Sequence, residues 1–373
     1  MNLATVVLCI ATFLPLWRHG HWLVRGWDFP RLQIACVAAV ILCLHLLTLQ
    51  THDVIAWLAL LLAALCLIWQ VSWILPYTEL WPKEVAAPAD PDSDTPGVSI
   101  LTANVLMPNR NAAGLVALVK EHRPDILVTL ETDDWWQTQL DVLEADMPHT
   151  VKCPQDNLYG MHVYSRLPFL SCKTVFLVEE DVPSVHLAVG LADADVTVQI
   201  HFLHPAPPSP TENTHSTERD AELIVVAKTL CGSNDPIIVA GDLNDVAWSY
   251  TTRLFRKISG LLDPRVGRGM FNTFHAQYWF LRWPLDHLFH SRHFTVRSIK
   301  RLPANGSDHF SLLTELVYAP QTNDNETPLP VDSEDHQAAR TIVADNVNDK
   351  ISAPRLNMVS LSDEQSATNI IDK

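Results

Sequence analysis

The sequence predicts an α/β domain with mixed, α+β-type strand order, preceded by a membrane-embedded region. Three observations carry this expectation. The stretch Pro236-Ile237-Ile238-Val239-Ala240-Gly241-Asp242-Leu243-Asn244-Asp245 begins with apolar residues lacking polar alternation, the pattern of a strand buried on both faces. Residues 98–103 and 126–130 read the same way and flank an amphipathic helix at 112–121, which makes a β-α-β start. Residues 1–17, 32–50 and 54–77 form three apolar runs that approach or exceed the length needed to cross about 30 Å of hydrocarbon at about 1.5 Å per residue.

Taken in order, residues 1–81 read as a membrane domain of three transmembrane helices. The first run lacks the basic n-region and small-x-small site of a cleaved signal peptide. Trp17, Trp22, Trp27, Trp57, Trp69, Trp73, Tyr77 and Trp81 crowd the ends of the runs, as interfacial anchors do. Arg18, Arg25 and Arg31 fall in the first loop, whereas the second loop has no Lys or Arg. The basic-residue rule then places that loop, and after three spans the C-terminal domain, in the cytoplasm. Residues 82–97, rich in Pro, Ala and Asp, read as a solvated linker, and residues 319–373 as a disordered polar tail.

Between them, 98–318 alternates apolar runs with helical patterns. Helices are expected at 135–143, 217–230 and 248–258. Antiparallel strands are expected at 161–164, 173–177, 185–191 and 196–203, with later strands near 271–274, 285–290, 294–301 and 310–318. The net charge of −16 includes −7 from 98–318 (18 basic, 25 acidic residues), the wrong sign for wrapping a polyanion. Seven cysteines show neither Cys-x-x-Cys nor Cys/His metal spacing.

Polar residues at strand ends carry the candidate chemistry. The glycine after the apolar run 237–240 lets the chain turn, so Asp242 and Asn244 emerge at the C-terminal end of the strand, where open α/β sheets place ligands. Asn104 and Glu131 end two neighbouring strands and together make a hard-oxygen environment suited to Mg²⁺. Each residue alone is equally an ordinary strand-ending polar group, and His204, ahead of Pro205, equally a loop histidine. Asp286 sits within an apolar strand and needs a partner. His309 supplies one, because an Asp that accepts from one imidazole nitrogen fixes the tautomer of the other. His287 competes for that role but points to the opposite face. Asp308, beside His309, completes a metal shell with Glu131.

In order, Thr-Ala-Asn104, Leu-Glu131, Tyr164-Ser165-Arg166-Leu167-Pro168, His204-Pro205-Ala206-Pro207, Gly241-Asp242-Leu243-Asn244, Leu285-Asp286-His287-Leu288-Phe289 and Ser307-Asp308-His309 resemble the endonuclease/exonuclease/phosphatase superfamily across 98–318. The resemblance implies a four-layer αββα sandwich of two mixed sheets and a Mg²⁺-dependent phosphoester hydrolase, with Mn²⁺ as the alternative ion. It implies Glu131 as principal metal ligand with Asn104 and Asp308 near it, and His309 as general base or phosphate contact oriented by Asp286. Asp242 and Asn244 match the pair that positions nucleophile and phosphate, and His204 the histidine that stabilises phosphoryl oxygens or the leaving group. Arg166 reads as structural. Some nucleases of the group carry an Asp where this chain has Leu106, a departure that favours one-metal chemistry. Membrane tethering favours a lipid headgroup or small phosphoester as substrate. Nucleic acid is the alternative, and a catalytically silent membrane scaffold is the rival from another class.

Overall fold

The computed structural model describes residues 2–49, 52–90, 95–191, 196–320 and 328–346. Residues 321–327 and 347–373 of the expected tail and residues 91–94 of the expected linker lie outside the described residues.

The N-terminal region contains helices α1 (Asn2–Phe13), α2 (Trp22–Arg25), α3 (Arg31–Leu47) and α4 (Val54–Ile74). The expectation of three spans is met only in part. Val54–Tyr77 is long and apolar enough to cross a bilayer by itself. Arg31–Leu47 qualifies only when joined to Trp22–Asp28 across a 71° bend, and Asn2–Trp17 is shorter still. The reason is local. Pro15 falls inside the first apolar run and Pro30 stands at the bend before Arg31–Leu47, and proline lacks the N–H that would continue a helix. Small residues let the three helices approach: Ala38, Ala63 and Cys66 are fully buried where they meet, with Leu8, Ala11 and Ile34 around them.

The remaining chain runs β1 (Gly97–Asn104), α5 (Ala112–His122), β2 (Ile126–Leu130), α6 (Asp134–Leu140), β3 (His149–Cys153), β4 (Met161–Ser165), β5 (Phe169–Phe176), β6 (Pro183–Gly190), β7 (Thr197–Leu203), α7 (Thr217–Leu230), β8 (Ile237–Asp242), α8 (Tyr250–Ser259), β9 (Asp286–His290), β10 (Phe294–Arg301), β11 (Leu312–Tyr318) and α9 (Ser333–Asn346). One sheet has the order β10-β11-β1-β2-β4-β3, the other β5-β6-β7-β8-β9. Each is mixed, with β1–β2 and β7–β8 the parallel pairs.

A shared core between the sheets is built from Ile100, Val128 and Leu316 on one side and Leu187, Ile200 and Ile238 on the other. On the outer faces, α5 and α6 bury Leu115, Val119 and Trp136 against the first sheet, and α7 and α8 bury Ile224, Leu254 and Phe255 against the second. This is a sandwich with helices on both outer faces. Asn111 and Ser249 cap α5 and α8 through their side chains.

Four local expectations change. Residues 271–274 form no strand, because Phe274 only bridges to Trp283 and His309. The half-buried edge strand β3 has no expected counterpart. Within the tail, α9 is a docked helix whose Ala339 is buried with Ile342 and Val343 against α7 and α8, tied by Lys257 Nζ to Asp335 at 2.7 Å. In the described part of the linker, Val85 is fully buried, its carbonyl accepts from Arg268 at 2.6 Å, and Glu84 pairs with Arg256. Apolar side chains too sparse to show periodicity suffice when an existing surface receives them.

Candidate active site

β1, β2, β7 and β8 end on one edge of the sandwich, and the parallel pairing within each sheet brings their C-terminal residues together. Gly241 makes this possible in the second sheet. Its φ is +142°, and a Cβ there would lie 1.9 Å from the Leu203 carbonyl oxygen of β7. Three residues further, Asn244 takes a left-handed φ of 50°, and Glu131 after β2 takes 62°. Non-glycine residues rarely hold such angles, and they concentrate at functional sites.

The eight side chains singled out in the sequence converge. Asn104 donates through Nδ2 to Glu131 Oε1 at 2.7 Å and to Asp242 Oδ2 at 3.1 Å, joining the two sheets across the site. Its Oδ1 accepts from the Leu106 amide at 3.1 Å. Asp286 is the first residue of β9 rather than a mid-strand residue, and lies directly opposite Asp242 in the ladder. His309 sits between them, with Nδ1 2.7 Å from Asp286 Oδ2 and Nε2 3.5 Å from Asp242 Oδ2. The Ser307 hydroxyl donates to the Asn104 carbonyl at 2.8 Å and accepts the His309 amide at 3.0 Å, which positions the Asp308–His309 turn. The Asn244 amide N–H caps Asp242 Oδ1 at 2.9 Å, and its side chain donates to the Pro205 carbonyl at 3.0 Å. Glu131, His204, Asp242, Asn244, Asp308 and His309 line one cavity of about 300 Å³, and Asn104 and Asp286 stand behind it, bonded to Glu131 and His309. His287 faces away, between Arg265 Nη2 at 2.7 Å and the Asp245 carbonyl at 2.8 Å. Arg166 binds the backbone carbonyls of Pro124 and Asp146, away from the cavity.

Burial sets the charge states. It pushes the Glu131 carboxyl up to about 7, only partly relieved by the Asn104 amide and His309. Asp242 is also raised by burial, against the pull of His309. Burial opposes charge on His309, yet Asp286 and Asp242 overcome it and hold the imidazolium up to about 10. His204 has burial dominant and is lowered to about 4, so it is neutral at pH 7, and its Nδ1 has no hydrogen-bond partner.

The sequence did not reveal the pocket walls. Phe29 enters from the loop between α2 and α3, and the Phe274 ring lies 5.0 Å from His309, tilted by 50°. Tyr159, bonded to Glu212, lies 5.4 Å from His204. Behind the wall, Arg25 reaches Asp245 Oδ2 at 3.3 Å and Thr251 Oγ1 at 2.9 Å, Trp248 Nε1 donates to the Asp28 carbonyl at 2.7 Å, and Tyr77 OH to the Ala247 carbonyl at 2.8 Å. Arg219 Nη1 holds the Asn244 carbonyl at 2.7 Å. The one available signal was arginine in a short apolar setting, which the basic-residue rule absorbed.

The fold is a two-sheet sandwich that holds a histidine between two carboxylates at the C-terminal edge of its parallel strands. The chain belongs to the Endonuclease/Exonuclease/phosphatase family, which it matches over residues 101–309. Members of this family hydrolyse phosphoesters, nucleic acids among them, and generally depend on a divalent metal. No curated protein matches the chain by sequence. Among solved structures it is similar to the human Nocturnin catalytic domain with bound sulfate anion, at 16% identity and TM-score 0.50, covering 60% of this chain and 95% of that one. It also resembles an endonuclease/exonuclease/phosphatase protein from Beutenbergia cavernae DSM 12333, at 17% identity and TM-score 0.49, covering 60% and 72%. At these identities the likeness is one of fold.

Proposed function

We propose that the chain is a membrane-anchored, divalent-metal-dependent phosphoester hydrolase acting on phosphodiesters of lipid headgroups or small molecules. The observation that carries it is the imbalance of charge in the site: Glu131, Asp242, Asp286 and Asp308 face a single imidazolium, His309. Carboxylates crowded together without counter-charge are costly, here the buried Asp242 beside the half-buried Glu131 and Asp308, and an all-oxygen acidic set fits a hard dication. The ligand-type atoms of Asp242, Asp286 and His309 lie within 4.8 Å of one another, but Asp286 and His309 are committed to each other. We therefore assign Glu131 and Asp308 to the ion, with Asn104 beside them, and Mg²⁺ ahead of Mn²⁺. A dication there supplies positive charge against the phosphoryl oxygens.

The chain's own residues supply the rest. Asp242 accepts one proton of the attacking water as its oxygen bonds to phosphorus and the ester P–O bond breaks. The His309 imidazolium, oriented by Asp286, and the neutral His204 donate to oxygens that gain charge. Asn244, held by Arg219 through its carbonyl, keeps the phosphate in register. The acidic domain supports a lipid or small phosphoester over nucleic acid.

Val54–Tyr77 anchors the domain, with α3 and α1 completing the membrane region. The loop 18–31 packs on the domain, so both lie on the same side of the bilayer. Three arginines in that loop support the cytoplasmic side, and two of them, Arg25 and Arg31, also serve as ion-pair partners of Asp28. Protease accessibility of residues 82–97 in sealed vesicles tests the orientation.

The activity test uses the full chain on bis(4-nitrophenyl) phosphate with Mg²⁺, with EDTA, and as Glu131→Ala. Metal-dependent turnover abolished by the substitution is expected, and metal-independent turnover would overturn the reading. Calorimetric titration with Mg²⁺ separates it from a silent scaffold, which has no need of the ion.

A further inference from the structure

Beyond the pocket, residues 273–283 form a hairpin that the sandwich does not require. Its base touches the site: the Phe274 amide and the Trp283 carbonyl pair at 3.0 Å, the Phe274 ring packs on His309, and the Ala276 amide donates to the Asp308 carbonyl at 2.6 Å. Its tip leaves the domain. Tyr278, Trp279 and Phe280 are 49%, 78% and 52% exposed, and Leu281 follows them. An exposed run of four large apolar residues is a liability for a water-facing loop and marks an interaction surface.

What covers the tip is indicated by its neighbour. Gln33, in the first turn of α3, donates through Nε2 to the Phe280 carbonyl at 2.8 Å. That turn begins an outward apolar face that continues through Leu32, Val37, Val40 and Leu44. At the same end of the helix pair, Arg31 stacks on Trp73 of α4 at 4.8 Å. The hairpin tip thus lies where α3 enters its apolar stretch, level with tryptophan and arginine side chains of the kind that mark a membrane interface. Arg282, at the foot of the tip, stacks on Phe310 at 4.9 Å and supplies a cation below the aromatics.

We propose that the 273–283 hairpin seats its aromatic tip in the bilayer beside α3, so that the pocket receives amphiphilic phosphoesters whose apolar part stays in the membrane. The proposal rests on the membrane and hydrolase readings above and narrows their substrate class. Residues 275–281 are bends and a turn, and six residues even fully extended span at most about 20 Å, so the tip lies within that distance of the Phe274–His309 contact at the site. The cavity of about 300 Å³ holds a headgroup rather than a whole lipid. Its apolar walls, Phe29, Phe274 and Leu285, stand beside the acidic floor, as an amphiphile requires.

Two measurements on the full chain reconstituted in phosphatidylcholine/phosphatidylglycerol vesicles test this. A nitroxide is attached at Trp279→Cys, with the exposed Cys36, Cys43 and Cys231 replaced by serine. Greater accessibility to oxygen than to an aqueous nickel chelate is expected. The reverse order overturns tip insertion whatever the activity. Second, hydrolysis of the vesicle phospholipid is compared with that of bis(4-nitrophenyl) phosphate, and Trp279→Ser with Phe280→Ser is expected to lower that ratio by more than about tenfold. An unchanged ratio overturns the role of the tip. Hydrolysis of the soluble ester without the lipid overturns the substrate class alone, and hydrolysis of neither overturns the hydrolase reading while the nitroxide result still stands.

Discussion

Two buried charge clusters lie back to back across β8 and β9, and they are built on opposite plans. On the outer side, Arg25, Arg31, Arg219 and Arg265 meet Asp28, Asp220, Asp245 and Asp263, four guanidiniums for four carboxylates, with contacts such as Arg31–Asp28 at 2.6 Å and Arg265–Asp263 at 2.9 Å. On the pocket side, four carboxylates face one imidazolium. The first cluster is complete in itself and joins the N-terminal segment to the loop after β8. The second is deficient in cations, and its surplus charge is what a ligand would satisfy. The same residue types thus mark structure or chemistry according to whether the local charge closes.

Substitutions on the two sides are expected to differ in what they damage. The largest effect falls on turnover. Asp242→Asn should lower kcat/KM about 10²–10⁴-fold with the Tm little changed, measured on the soluble diester. An equal loss from Arg219→Met at unchanged stability would blur the distinction between the clusters. Arg25→Met leaves Asp245 buried without one of its cations and should cost about 3–5 kcal/mol of stability, read as a fall in Tm and in denaturant midpoint. No loss would show that the N-terminal loop is not coupled to the domain.

A lone buried acid outside both clusters sharpens the comparison. Glu222 of α7 accepts from the Ser184 hydroxyl at 2.8 Å, and burial pushes its carboxyl up to about 7. Above the ordinary carboxylate range and below 7 the folded state holds a proton that the unfolded state has lost. Stability therefore falls as pH rises through that window and is flat above it. Glu222→Gln should remove this slope and gain up to about 3 kcal/mol at pH 8, with no gain near pH 4. Glu131→Gln should behave alike but more weakly in EDTA, because its carboxylate opens onto the pocket. Added Mg²⁺ should raise the Tm of the unaltered chain more than that of this variant.

Much of the sandwich was legible in the sequence. The runs ending at Asn104, Glu131 and Asp242 are largely apolar without regular alternation, and strands buried on both faces leave little freedom in where their polar termini emerge; the run ending at His204 alternates and was legible as a strand by that period instead. Asp286 was legible for the same reason, since an acid beside an apolar strand implies a partner. Phe29, Phe274 and the 278–281 tip were not, because an aromatic residue has the same local signature whether it fills a core, walls a pocket or meets a membrane.

Apart from β3 and the strand expected at 271–274, the sequence alone determined the order of strands and helices between 98 and 318, together with the family and the eight polar residues at or just beyond strand ends. Backbone hydrogen bonding and side-chain periodicity are local, so they are written locally. Only the tertiary structure decided that Arg25 and Asp28 of the 18–31 loop brace the loop after β8, that residues 333–346 dock as a helix, and that of the three expected spans only Val54–Tyr77 is long and apolar enough by itself. Those outcomes depend on charge pairing and surface fit between residues up to 220 positions apart in the chain, for which no short stretch of sequence carries a sign.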